Sequence, residues 1–289
     1  MPPIVPENIQ GRKYEPVGRC IYCGSDGHGR KLGDEHLMPY SLGGNAILPE
    51  ASCAKCEGVT SYLDGYLANA IFGDYRLARG IQSRNARKRP KTRDTLIKTP
   101  SGKLENYTFE AGRRLFPFQA PMPIFELPGI LLGNAPTDTF KPGYMMLLFH
   151  YVPPDLREEM KAGPDEQVAV LPHVRVNRET FARAIAKIAY CHLVAADQLK
   201  DCVLFPVARF ILGLDRLAPY LVGSAPGADP PEQALHKIGT YWQRYPTKSI
   251  LVASVRLFAD TGLRDRGFPT YLVAIGEREG PPPPSLVGP

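Results

Sequence analysis

The chain has 289 residues, 44% of them hydrophobic and 22% charged, with a formal net charge of +6. That balance excludes an intrinsically disordered chain, and 30 prolines argue against a purely helical bundle. No run approaches the ~18 apolar residues of a membrane span, and MPPIVPENIQ lacks the basic-then-apolar order of a secretory signal. A cytoplasmic protein of the α+β class, with no membrane partner, is therefore expected.

In chain order, residues 1–17 are Pro-rich and polar and read as a flexible arm. KLGDEHLM reads as a strand, SLGGN as a tight loop with Gly43 and Gly44 at positive φ, and AILPE as a returning strand. Ser52 is placed to cap a following helix. There Val59, Leu63, Leu67 and Ile71 form an apolar stripe, widened by Tyr62, Tyr66 and Ala70. Gly58 and Gly65 each lower its propensity by about 1 kcal/mol relative to Ala, so the helix should depend on packing. A boundary is expected near residue 95, ahead of a mixed α+β domain over 96–278. In that domain LENYTFEAG and GYMMLLFHYV read as strands. Phe181, Ile185, Ile188 and His192 recur at helical spacing behind an Asn177 N-cap. SILVASVRLFADTGLRDRGFPTYLVAIG reads as two strands joined through a Gly-containing turn, and residues 279–289 as a disordered Pro-rich tail.

Four of the six cysteines form two CxxC units, Cys20 with Cys23 and Cys53 with Cys56. Four thiolates offered by two tight turns suit a tetrahedral structural Zn²⁺; buried free thiols and redox chemistry are the alternatives. The pairs stand 29 residues apart, beyond the roughly 15–20 usual in a zinc ribbon. The excess length contains DEHLMPYSLGGN, in which three ionisable groups stand side by side at Asp34, Glu35 and His36. Cys191 and Cys202 read as core residues, and Trp242 as a packing residue rather than a base-stacking one. His150, His173 and His192 show no ligand spacing.

The order CxxC, acid–His with Pro three residues later, Gly-Gly loop, and a CxxC opening a helix resembles the zinc-stabilised HNH (ββα-metal) endonucleases over residues 18–93, about a quarter of the chain. The resemblance implies a ββα-metal unit in which His36 is the general base that deprotonates water. It makes Glu35 a ligand of a catalytic Mg²⁺ or Mn²⁺, and Asn45 the residue that braces the loop. The third motif position, usually His or Asn, is Glu57 here, a further ligand for the divalent ion or a mark of lost activity. The implied reaction is hydrolysis of DNA phosphodiester bonds leaving 5′-phosphate and 3′-hydroxyl ends. Asp34 reads as a solvated acid and His28 as a residue of the knuckle loop.

Arg76, Arg79, Arg84, Arg87, Lys88, Arg89, Lys91 and Arg93 follow with no intervening acid. Such a run neutralises phosphates without reading sequence, and double-stranded DNA is the expected partner. Residues 96–278 are left open among substrate recognition, homo-oligomer formation and binding of a partner protein. The rival to the endonuclease is a catalytically silent, zinc-containing nucleic-acid-binding module.

Overall fold

The computed structural model describes residues 14–81, 91–110, 117–140, 145–163, 166–171, 175–200, 202–225, 230–263 and 266–281. Strand β1 (Gly33–His36) pairs antiparallel with β2 (Ile47–Ser52), with Glu35 opposite Leu48 and a register shift between Gly33 and Glu35. The connecting turn at Tyr40–Leu42 closes on Gly43, whose φ is +96°. Gly44 has another reason to be glycine. A Cβ there would lie 2.2 Å from the Met38 carbonyl oxygen, so close approach rather than positive φ demands it. The expected arm ends sooner than residue 17, because the Tyr14 and Val17 N–H groups donate to the Ile47 and Pro49 carbonyls and line the open edge of β2.

Helix α1 (Ala54–Gly65) is capped by Cys53, not Ser52; the Ser52 hydroxyl is buried without a hydrogen-bond partner. At Gly65 the helix widens into a π-helical turn, Tyr66–Ile71, before α2 (Gly73–Ala78). The apolar stripe continues through this turn. Leu63, Leu67 and Ile71 are buried with Ala68 and Thr60, while Tyr62 stays 59% exposed. Tyr66 also binds the start of a later helix, donating to the Asn177 carbonyl and accepting from its N–H.

The remaining strands are β3 (Thr92–Lys98), β4 (Leu104–Glu110), β5 (Phe118–Ile124) and β6 (Met145–Tyr151), followed by α3 (Pro154–Glu159) and β7 (Ala169–Val170). They form two antiparallel groups, β4-β3-β7 and β5-β6. Helix α4 (Arg178–Ala195) has the expected cap, with Asn177 Oδ1 accepting from the Thr180 N–H at 2.9 Å. Phe181, Ile185 and Ile188 are fully buried, but so are Ala182, Ala186, Lys187, Ala189 and Cys191 around the helix. It is a central helix rather than a surface one. After it come β8 (Val203–Leu204), α5 (Val207–Ile211), α6 (Ala218–Leu221), β9 (Val222–Ser224), β10 (Lys237–Arg244), β11 (Lys248–Arg256), β12 (Gly262–Leu263), β13 (Arg266–Gly267) and β14 (Thr270–Glu279). Strands β10, β11, β14 and β8 form an antiparallel sheet in which β9 also pairs with β14. Trp242 is buried, as expected, and Cys191 is a core residue; Cys202 is only partly buried.

The boundary expected near residue 95 falls inside β3, and one buried cluster runs from Cys20 and Leu37 through α4 to Ile275. Phe72 and Tyr75 pack against Phe258 and Phe268 across that line. Each buried ring contributes roughly 1.5–3 kcal/mol through area alone, which couples the hairpin–helix unit to the C-terminal sheet. Glu279 belongs to β14 and the Gly280 N–H donates to Thr247, so the tail starts later than expected, and residues 282–289 lie outside the described set. Among the described residues no helix is long and apolar enough to cross a membrane.

His236 ties the two ends together. Its Nδ1 accepts from the Phe258 N–H, so Nε2 carries the proton and donates to the Leu42 carbonyl at 2.8 Å. Burial holds this imidazole down to about 4, outweighing the opposing pull of Leu42 and Asp260. Below its ordinary 6.5 the unfolded chain therefore binds the proton more readily than the folded one. The stability from the neutral ring is present above about pH 6.5 and is lost as pH falls towards 4, at up to about 1.4 kcal/mol per unit. His236→Gln is expected to flatten that limb in urea melts at graded pH; an unchanged slope would refute the assignment.

Candidate metal centre

The first CxxC is a reverse turn. Gly24 takes φ +75°, its N–H donates to the Cys20 carbonyl, and the Cys20 N–H donates to Ser25. The second starts α1, with Cys53 as cap and Cys56 in the first turn. The hairpin explains the long spacing. Its strands return the chain so that Gly33 faces Ser52, and the Ile21 N–H donates to the Ala51 carbonyl at 2.9 Å. All four Sγ atoms lie within 4.8 Å of one another, with Cys23 and Cys53 at 3.7 Å. A tetrahedron with Zn–S of 2.3 Å has S···S edges of about 3.8 Å, so the set fits a structural Zn²⁺. Burial pushes the Cys56 thiol up. At Cys53 burial acts the same way, but the Cys56 N–H and neighbouring thiols overcome it and bring the group to about 7. A thiolate at a helix N-terminus is the ligand form.

Behind this centre the structure parts the acid–His pair. Neighbouring residues of a strand face opposite sides. Asp34 is exposed, Glu35 is 4% exposed and His36 is intermediate, its ring beside Tyr40 with centroids 6.3 Å apart. Glu35 faces inward and is already bound. Its Oε1 lies 2.9 Å from the ammonium of Lys187, and its Oε2 accepts from the Thr60 hydroxyl at 3.1 Å. The same ammonium donates to the His36 carbonyl at 2.7 Å and to Asp64 Oδ2 at 3.1 Å. Burial works against the Lys187 charge, but Asp64 and Glu35 more than offset it and hold the amine well above its ordinary value.

The catalytic divalent ion expected at Glu35 would have to displace this ammonium. Glu35 serves a buried cation of the protein itself, and Mg²⁺ or Mn²⁺ beside it would face the Lys187 charge across a desolvated gap. Glu57 does not join it. That side chain is exposed and reaches over Gly33, where a Cβ would lie 2.9 Å from Glu57 Oε2, at the far end of β1 from His36. Among the described residues, the four cysteines are the one group of three or more His, Cys, Asp or Glu whose ligand atoms converge. Asn45 is partly buried, with Oδ1 lacking a hydrogen-bond partner.

Lys187, Asp64 and Thr60 escaped the reading of the sequence. The signal was available in RAIAKIAYC, where one lysine interrupts an apolar run; a lysine inside a helix buried on every side demands acidic partners. The basic run also divides. Arg76 is 8% exposed and donates to the Ala68 carbonyl at the π turn. Arg79 pairs with Asp260 and donates to Tyr75 and Thr261. Arg93 pairs with Asp74 at 2.8 Å, and Lys91 is exposed. Arg76 and Arg79 are therefore already engaged by partners within the protein. Arg84, Arg87, Lys88 and Arg89 lie outside the described residues.

Comparison with protein-family models, with curated proteins and with solved structures finds no match to this chain.

Proposed function

We propose that the chain is a nucleic-acid-binding protein built on an HNH-like, zinc-stabilised hairpin–helix unit that does not carry out metal-dependent hydrolysis. The Lys187–Glu35 pair carries this reading: the carboxylate that would hold a catalytic ion is spent on a buried ammonium. Removing Glu35 would leave Asp64 as the one carboxylate facing the buried ammonium, a destabilising loss of part of its compensation. Nucleic acid is favoured as the ligand by the net charge of +6 and by the acid-free run that ends in Arg84, Arg87, Lys88, Arg89 and Lys91.

One observation favours the second reading, a DNA endonuclease with His36 as general base: His36 remains partly accessible at the end of β1 beside Tyr40. Imidazole is a side chain suited to the work of a general base. That reading requires Lys187 to leave Glu35.

The test incubates plasmid DNA and a matching RNA with zinc-loaded wild type and with His36→Ala, in Mg²⁺, in Mn²⁺ and in EDTA, beside gel-shift titrations. The proposal expects salt-dependent binding and intact substrate in every lane. Cutting by wild type that disappears in His36→Ala and in EDTA would replace it with the endonuclease. Absence of binding to both nucleic acids would remove the binding claim. Replacing Arg84, Arg87, Lys88 and Arg89 together by alanine is expected to weaken binding to all sequences alike. The slope of log K against log salt should become shallower by up to ~3.6, about 0.9 for each phosphate that is no longer neutralised.

A further inference from the structure

Lys187 is fully buried, and each of its three ammonium protons has an acceptor close by. These are the His36 carbonyl at 2.7 Å, Glu35 Oε1 at 2.9 Å and Asp64 Oδ2 at 3.1 Å. Three segments of the chain meet there, β1 through Glu35 and His36, α1 through Asp64, and α4 through the lysine. Thr60, also on α1, fixes the second oxygen of Glu35. The oxygens are two carboxylates and a backbone carbonyl, the donor types that hard divalent cations take. They carry two formal negative charges, and the lysine returns one. Asp64 keeps 21% of its side chain exposed, which leaves a side on which water can complete a coordination shell.

We propose that Lys187 is the resident cation of this oxygen site, its ammonium standing where a hard divalent ion would sit, and that deleting the ammonium turns Glu35, Asp64 and the His36 carbonyl into a site for such an ion. The two cations exclude each other, since a divalent ion beside a buried ammonium is repelled in a poorly screened interior. The N···O distances of 2.7–3.1 Å exceed the 2.0–2.6 Å of Mg²⁺ or Ca²⁺ coordination. Occupation by metal therefore draws the oxygens inward by roughly 0.5–1 Å, into the space vacated by the side chain. The inference rests on the same ion pair as the proposed function, but its test contains no nucleic acid, so the two can fail separately.

The experiment uses the full chain with its zinc content verified, as wild type, Lys187→Ala, Glu35→Gln/Lys187→Ala and Glu35→Gln/Lys187→Met. Mn²⁺ is the probe, read by loss of the free-ion electron paramagnetic resonance signal and by the unfolding midpoint with and without millimolar Mn²⁺. Lys187→Ala is expected to bind one Mn²⁺ per chain at least ~100-fold more tightly than wild type, and its midpoint to rise with Mn²⁺ while that of wild type stays put. Glu35→Gln/Lys187→Ala should lose both effects. Equal Mn²⁺ affinity in wild type and Lys187→Ala would overturn the proposal, because the ammonium would then not be excluding metal. If Lys187→Ala is unfolded, restoration of its unfolding transition by Mn²⁺ supports the proposal. Failure of that restoration, with Glu35→Gln/Lys187→Met folded, overturns it.

Discussion

If the four-cysteine cluster holds the structural Zn²⁺ that it fits, serine at Cys56 is expected to abolish that binding and to loosen the hairpin–helix unit with it. Cys56 is 3% exposed and closes the four-sulfur cluster from the first turn of α1. A hydroxyl is a far poorer ligand than a thiolate for Zn²⁺. Structural zinc contributes an apparent ~10–16 kcal/mol of binding energy in isolated zinc-finger peptides at neutral pH. Here part of that loss is offset, because Leu37, Met38, Leu48, Leu63 and Leu67 belong to the buried cluster shared with α4 and the C-terminal sheet. A net loss on the order of 5 kcal/mol would lower the unfolding midpoint by roughly 10–20 °C for a chain of this size. Bound zinc should fall from one per chain to none by elemental analysis, and chelation of wild type should reproduce the shift. Cys202→Ser, away from the cluster, should retain zinc. Full zinc occupancy in Cys56→Ser would show that the four sulfurs do not act as one site.

The second large effect is predicted at Lys187. Lys187→Met keeps much of the volume inside α4 and removes only the charge, so Glu35 and Asp64 lose the cation they share. Breaking a buried ion pair from one side costs about 3–5 kcal/mol, whereas replacing both partners by neutral groups is often nearly neutral. Glu35→Gln/Lys187→Met should therefore recover most of the loss, measured as the free energy of urea unfolding in a double-mutant cycle. Independent, additive losses would mean that the pair is not the unit of interaction. Because the ammonium also holds the His36 carbonyl, the single and the double variant should both show faster amide exchange along β1 than wild type does.

Much of the local architecture was legible. The Asn177 cap, the two long apolar strands of the C-terminal sheet, the Gly43 turn and the two cysteine knuckles are each specified by residues near one another in the chain. Errors in local detail had local causes. Cys53 displaced Ser52 as the helix cap because the knuckle sets the point at which the helix starts, and Tyr62 lies on the exposed flank of the α1 stripe that buries Leu63. The uses of charge were different. Glu35 looked like a metal ligand and Arg79 like a phosphate-binding residue because their residue types suit those tasks. Their partners, Lys187 and Asp260, stand far away in sequence: the lysine is 151 positions after His36, the neighbour of Glu35, and the aspartate is 181 positions after Arg79.

The sequence by itself determined a four-cysteine clamp around a hairpin and helix, since ligand chemistry, turn geometry and apolar period all act over a few residues. Tertiary structure alone decided which partner the acid beside the histidine meets. A carboxylate is bound by the cation that reaches it, and here that cation arrives on α4, through a core that joins the four-cysteine unit to the rest of the chain.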